Sequence, residues 1–318
     1  MRRWDGLVEG YVRECEIRGL AATTMVMRRS ALARAGTWLK LRRPKVNLEQ
    51  MESEMLIEYL RTRSAFRSKT VVASTVSILR GMGEYLVSQG VWTKNPMRWI
   101  RGPKMDPRST LPRRIGKADM KRIWDEAEKI KSPSVRAVTL CVLAILYGSG
   151  LRRGELERMN MSDWDRENGL LRVDGRKTGQ ERKVPVGAGV WRCVEAYLPV
   201  RQNRLESACR LEETALLIDR FGNRMRADAI SRVVRACAVA AGIPFVSLHQ
   251  FRHSCASDLL ESGVKMPEVQ AMLGHGVLAT TMRYLHVSGD VMSEAIKKHP
   301  INEFLDPEPE ATERRAVI

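Results

Sequence analysis

Residues 247–287 read SLHQFRHSCASDLLESGVKMPEVQAMLGHGVLATTMRYLHV. Four of the chain's five histidines fall inside this stretch, together with Tyr284. His249 and Arg252 are three positions apart, so on a helix they share a face. His275 follows a small turn at Leu273-Gly274, and Tyr284 lies nine residues further on, in a short amphipathic segment over 279–286. An arginine, two histidines and a tyrosine brought together suit attack on a phosphate. The guanidinium clamps oxygens, an imidazole moves a proton, and the phenol is the nucleophile. The same residues have plainer readings. A tyrosine in an apolar helix packs in a core. His249, His253 and Cys255 could hold a metal, but no HExxH pattern is present and an arginine sits between the histidines.

The rest of the chain bounds the partner. A length of 318 residues suggests about two domains, and 44% hydrophobic content suffices for packed cores. The net charge of +17 and a pI near 10.0 point to a polyanion, either nucleic acid or an anionic membrane surface. Cysteines 15, 141, 193, 209, 237 and 255 form no CxxC pair, which suits reduced residues of a cytosolic protein rather than disulfides or a zinc site. The start, MRRWDGLVEG, lacks the apolar core of a signal peptide. The longest strongly apolar run, 137–147, is shorter than the ~20 residues that span a bilayer. No insertion face rich in Trp or Phe is evident. Nucleic acid in the cytoplasm is therefore the expected partner.

Upstream, apolar spacing predicts four helices in the first hundred residues. They cover about 4–18, from Thr23 as N-cap to about Leu41, from Asn47 as cap through Arg63, and from Ser68 to a stop at Gly90. Met and Leu at three- and four-residue spacing along them read as core. Residues 1–110 carry 21 Lys+Arg against 10 Asp+Glu. Arg28, Arg29, Arg34, Lys40, Arg42, Arg43 and Lys45 gather around the second helix, and Arg61, Arg63, Arg67 and Lys69 between the third and fourth. Two clusters on one small domain favour phosphate contacts over a merely solvated face. Arg28, Arg29, Arg42, Arg43, Arg67 and Lys69 are the candidates. Residues 100–116, IRGPKMDPRSTLPRRIG, hold three prolines and read as an extended basic connector.

Downstream, helices are expected over about 117–130 and 135–147, followed by GSGLRRGELERM at 148–159. Its glycines have the wrong spacing for a dinucleotide loop, and a helix rather than a strand precedes them. Residues 170–186, LLRVDGRKTGQERKVPV, alternate apolar and polar on either side of 175–179, which signals a β-hairpin. Its tip carries Arg176 and Lys177, with Arg182 and Lys183 beyond. Lys177-Thr178 resembles the end of a P-loop, without the upstream glycines. Helices follow over about 190–206 and 225–241, with 215–219 between them as a short strand or buried turn.

Taken together, these motifs resemble those of the tyrosine recombinase (phage integrase) family, with Xer-like or mobile-element-encoded members the nearest in plan. The pattern GLRxxEL stands as Gly150-Leu-Arg152-Arg-Gly-Glu155-Leu, and the hairpin lysine pattern as Lys177 through Pro185. HxxRH stands as His249 through His253, LGH as Leu273-Gly-His275, and the nucleophile motif as Tyr284-Leu-His-Val287. The resemblance implies a mainly α fold with a small antiparallel β-sheet. A helical, SAM-like core-binding domain at 1–100 and a connector at 101–112 precede a catalytic domain at 113–300 and a flexible tail at 301–318. It implies that Tyr284 forms a 3′-phosphotyrosyl link and that Arg152 and Arg252 clamp the phosphate. Lys177 would protonate the leaving oxygen, His249 act as acid or base, His275 hydrogen-bond the phosphate, and Glu155 orient its neighbours. The doubled arginine at 153 leaves open which one faces the phosphate, though the motif favours Arg152. No metal or small-molecule cofactor is implied. The implied partners are duplex DNA with inverted half-sites and three further copies of the chain in a tetramer, or a sister recombinase. Integration, excision, transposition and multimer resolution all stay open. A helix over 290–298 would dock on a neighbouring subunit. A type IB topoisomerase-like enzyme and a non-cleaving accessory protein are the alternatives. His253, His286 and His299 receive no role beyond surface or packing.

Overall fold

The structure is a computed structural model. It describes residues 2–42, 51–65, 68–104, 114–175, 181–274, 296 and 299–302. The chain divides into two compact units, Met1–Leu111 and Pro112–Ile318.

The first unit holds four helices: α1 (Arg2–Ile17), α2 (Ala22–Arg42), α3 (Ser53–Ser64) and α4 (Lys69–Ser88). The apolar spacing that predicts them is what they bury. Val8, Tyr11 and Cys15 of α1 meet Leu32 and Ala35 of α2 and Leu79, Met82 and Leu86 of α4 in one core. Two helix starts differ from the sequence expectation. α2 begins at Ala22, because the Thr24 and Met25 N–H groups already donate to the Ala21 carbonyl, so Thr23 lies inside the helix rather than capping it. α3 starts only at Ser53, after the extended residue Glu52 and the buried Met51. The Asn47 cap lies outside the described residues.

The second unit is built on α6 (Pro133–Ser149), whose residues Val138–Ser149 are almost entirely buried. Ser132 caps it by accepting a hydrogen bond from the Val135 N–H, and Pro133 occupies its first turn. The helix therefore starts earlier than its apolar run alone suggests. Around α6 pack α5 (Lys117–Glu128), α8 (Ala188–Ser207), α9 (Ala227–Ala240) and α10 (Leu248–Glu261). The short helices α7 (Arg153–Arg158) and α11 (Met266–Leu273) complete the set.

A three-stranded antiparallel sheet runs β1 (Trp164–Asp165), β2 (Leu170–Val173), β3 (Arg182–Pro185). Leu171 pairs with Val184, Val173 with Arg182 and Arg172 with Lys183. The strand period sends Leu171, Val173 and Val184 inward, while Arg172 and Lys183 stand opposite one another outside. β1 is too short to be read from periodicity. Residues 215–218 are a buried turn region, joined to the rest by isolated bridges Asn160–Ala215 and Ile218–Arg224.

Candidate active site

Two helix ends create the site. α6 stops at Gly150 and α11 at Gly274, both in the left-handed conformation (φ 59° and 64°). Such ends leave carbonyls without intrahelical partners and carry partial negative charge. Arginine side chains answer both. Arg252, on the first turns of α10, donates Nη1–H to the Gly150 carbonyl at 2.8 Å and Nη2–H to the Leu273 carbonyl at 2.6 Å. Arg152, between α6 and α7, donates Nη2–H to the Gly274 carbonyl at 2.7 Å. The two guanidinium groups thus meet at the Leu273-Gly274 turn, although the residues are 100 positions apart in the chain. Each retains N–H donors beyond these bonds. Gly150 is constrained on a second count: a Cβ there would come within 2.6 Å of Leu273.

Glu155 lies beneath this pair and is 6% exposed. Its carboxylate accepts from the Arg152 backbone N–H at 2.7 Å and from Arg152 Nη1 at 2.9 Å. It also accepts two bonds from Arg182, at 3.0 and 2.9 Å. Burial raises its pKa, but the hydrogen bonds from Arg182 and from Arg152 more than offset this and hold the carboxyl at about 2. Burial, followed by the neighbouring Arg152 charge, pushes Arg252 down to about 10. It remains a cation at neutral pH. The cluster holds three guanidinium charges against one carboxylate, an excess of positive charge in a partly dry site. That is what an incoming phosphodiester needs. His249 also sits near these cations. Partial burial, then Arg252, His253 and Arg152, lower its pKa, which favours the neutral imidazole.

The structure separates the two adjacent arginines. Arg152 enters the site, while Arg153 is exposed and pairs with Asp228 on α9 at 2.9 Å. Cys255 is buried against Gly150. Lys177, His275 and Tyr284 lie outside the described residues, as do the 279–286 segment, nearly all of 290–298, and the tail beyond 302. Arg182 is the residue that sequence reading passed over. It was one of several cations on a charged hairpin, and only its place three positions before Pro185 in the hairpin motif marked it.

A second buried polar cluster supports α10 from behind. The Tyr147 hydroxyl donates to Asp258 at 2.7 Å, with Arg114 at 3.7 Å on the other carboxylate oxygen. Ser254 bonds both the N–H and the carbonyl of Ile115. His299 is buried against the edge of the Tyr147 ring, so it is a packing residue and not a surface one.

In the first unit the candidate DNA contacts divide. Arg28 is turned inward, with its guanidinium on the Tyr11 hydroxyl and on Cys15 Sγ. These bonds tie the half-buried side chain to α1. Arg29 is exposed but forms a two-pronged pair with Glu9 at 2.8 Å. Arg42 and Lys69 are exposed, at the end of α2 and the start of α4. Arg43 and Arg67 lie outside the described residues.

A helical scaffold brings two arginines together at one turn, with a buried carboxylate beside them. Residues 113–290 match the phage integrase family, and the chain belongs to that family. It is a tyrosine site-specific recombinase. It is 33% identical over 243 residues to the tyrosine recombinase XerC of Thermodesulfovibrio yellowstonii, which covers 74% of this chain and 78% of that one. With the XerC of Roseiflexus castenholzii it shares 26% identity across 92% of each chain. Among solved structures it resembles the XerH site-specific recombinase bound to a palindromic difH substrate, with a TM-score of 0.67 and 20% identity over 87% of this chain and 80% of that one. It also resembles a lambda integrase tetramer bound to a Holliday junction, with a TM-score of 0.62 and 19% identity over 85% and 76%. Among the described residues, no helix is long and apolar enough to cross a membrane.

Proposed function

We propose that the protein cuts and rejoins duplex DNA through a 3′-phosphotyrosyl intermediate on Tyr284, within a tetramer that pairs two duplexes bearing inverted half-sites. The observation that carries this reading is the meeting of Arg152 and Arg252 at the Leu273-Gly274 turn, immediately before His275 in the sequence.

The phenol of Tyr284 attacks the scissile phosphorus. The P–O5′ bond breaks, the phosphate passes to the tyrosine oxygen and a 5′-hydroxyl leaves. Arg152 and Arg252 hold the non-bridging oxygens, on which charge grows in the transition state. His249, in its neutral form, takes up the phenolic proton. Lys177 donates a proton to the leaving 5′-oxygen, and His275 hydrogen-bonds the phosphate. The ester keeps the bond energy of the broken link, so a 5′-hydroxyl can reverse the step without a nucleotide triphosphate. Arg42, Arg43, Arg67 and Lys69 of the first unit, with Arg172 and Lys183 on the outer face of the hairpin, contact backbone phosphates. Arg172 and Lys183 face each other as like charges, an arrangement that a bound polyanion relieves.

The test begins with a binding site selected from a randomised duplex pool. That site is then offered as a nicked duplex from which the cleaved end diffuses away. Wild type should accumulate a covalent protein–DNA adduct stable to denaturant, and Tyr284→Phe should accumulate none. An adduct that forms equally well with Tyr284→Phe removes that residue as nucleophile.

A further inference from the structure

We infer that Arg182 is a positioning residue for the cleavage reaction, acting through Glu155 to set the place of Arg152. The inference rests on the reading of Arg152 as a phosphate clamp and adds a residue to it.

Arg182 opens β3, and its side chain is only 10% exposed despite its position at the edge of a charged hairpin. From there it touches two other elements. Nη1 and Nη2 grip both oxygens of Glu155, at 3.0 and 2.9 Å. Nε donates to the Met272 carbonyl at 2.8 Å, at the C-terminal end of α11. Gly274 lies against it, and a Cβ at Gly274 would come within 3.1 Å of Nη1. A single planar guanidinium thus joins the sheet, the start of α7 and the end of α11. The last of these is the turn that receives Arg152 and Arg252.

The consequence for Arg152 follows from donor geometry. Glu155 must hold the Arg152 backbone N–H and its Nη1 together. A buried carboxylate with its far side unpaired would rotate toward whichever cation is left. With Arg182 in place the carboxylate plane is fixed, and so is Arg152. A lysine brings the charge but not the paired donors. The reacting phosphate tolerates little displacement, since a 1 Å misplacement can cost about 10²-fold in rate.

The experiment compares wild type, Arg182→Gln, Arg182→Lys, Glu155→Gln and the Glu155→Gln/Arg182→Gln double variant. Single-turnover adduct formation on the nicked duplex is measured at saturating DNA. DNA affinity and thermal unfolding are measured alongside. Arg182→Gln should slow adduct formation by about 10²-fold while leaving DNA affinity within about twofold. Arg182→Lys should recover only part of the rate. The double variant should be no slower than Glu155→Gln alone, because both changes break one device. Rate losses that multiply in the double variant would overturn the proposal, as would full recovery by lysine or a wild-type rate in Arg182→Gln. If wild type forms no adduct, the proposed function fails. Thermal unfolding of the same proteins then still decides the pairing, which additive shifts would refute.

Discussion

Arginines on α2 and arginines around the Leu273-Gly274 turn are the same residue in two different uses. On α2 they lie within one short stretch of chain. One bonds Tyr11 and Cys15 of α1, one pairs with Glu9, and Arg42 stands exposed at the helix end. At the site, Arg152, Arg182 and Arg252 come from three distant parts of the sequence and all point at helix-end carbonyls or at Glu155. An exposed arginine adds charge that salt can screen, while a buried one with fixed partners adds direction. Clustering of basic residues in sequence is therefore a poor guide to which of them are organised for chemistry.

The largest effect should come from the buried group. Arg252→Gln is expected to lower single-turnover cleavage by about 10²–10³-fold at saturating DNA. Arg42→Gln should leave that rate unchanged. Equal losses in the two variants would erase the distinction between them.

The two ends of α2's behaviour can be separated in turn. Each phosphate contact contributes about 0.9 to the slope of log affinity against log salt. Arg42→Gln should reduce the magnitude of that slope by about this amount, with thermal stability unchanged. Arg28→Gln should do the opposite, lowering the unfolding temperature of the first unit while the salt slope stays as in wild type. A flattened slope in Arg28→Gln would return that residue to the DNA-contacting face.

The smallest effect is the pH dependence of the site's own stability. The Glu155 carboxyl is held at about 2 in the folded chain, against an ordinary value of 4.5. The unfolded chain therefore binds the proton first as pH falls. The contribution of ionised Glu155 is complete above about 4.5 and fades as pH drops toward 2. The stability difference between wild type and Glu155→Gln should be flat at neutral pH and shrink in acid. A difference that grew on acidification would contradict the pairing with Arg182.

Much of this protein was legible from its sequence because the signals were local. The glycine stops at Gly90, Gly150 and Gly274 follow from chemistry within a few residues, as does the alternation of β2 and β3. The Ser132-Pro133 start of α6, in contrast, precedes the apolar run that marks the helix. Motif spacing also pointed to Arg152, Glu155, His249 and Arg252. Lys177, His275 and Tyr284 rest on sequence alone, being outside the described residues. α3 starts at Ser53, later than the apolar spacing suggests, because Glu52 is extended. β1 was missed because two residues show no period.

By itself the sequence determined the order of the helices, the hairpin and the excess of positive charge, and its motifs singled out Arg152, Glu155 and Arg252. Only the tertiary structure decided that Arg152 rather than Arg153 faces the site, that Arg28 turns inward and that Arg182 serves Glu155. The reason is physical. A guanidinium goes where unpaired carbonyls and carboxylates await it, and those acceptors are supplied by the ends of α6 and α11 and by Glu155, from segments far away in the chain.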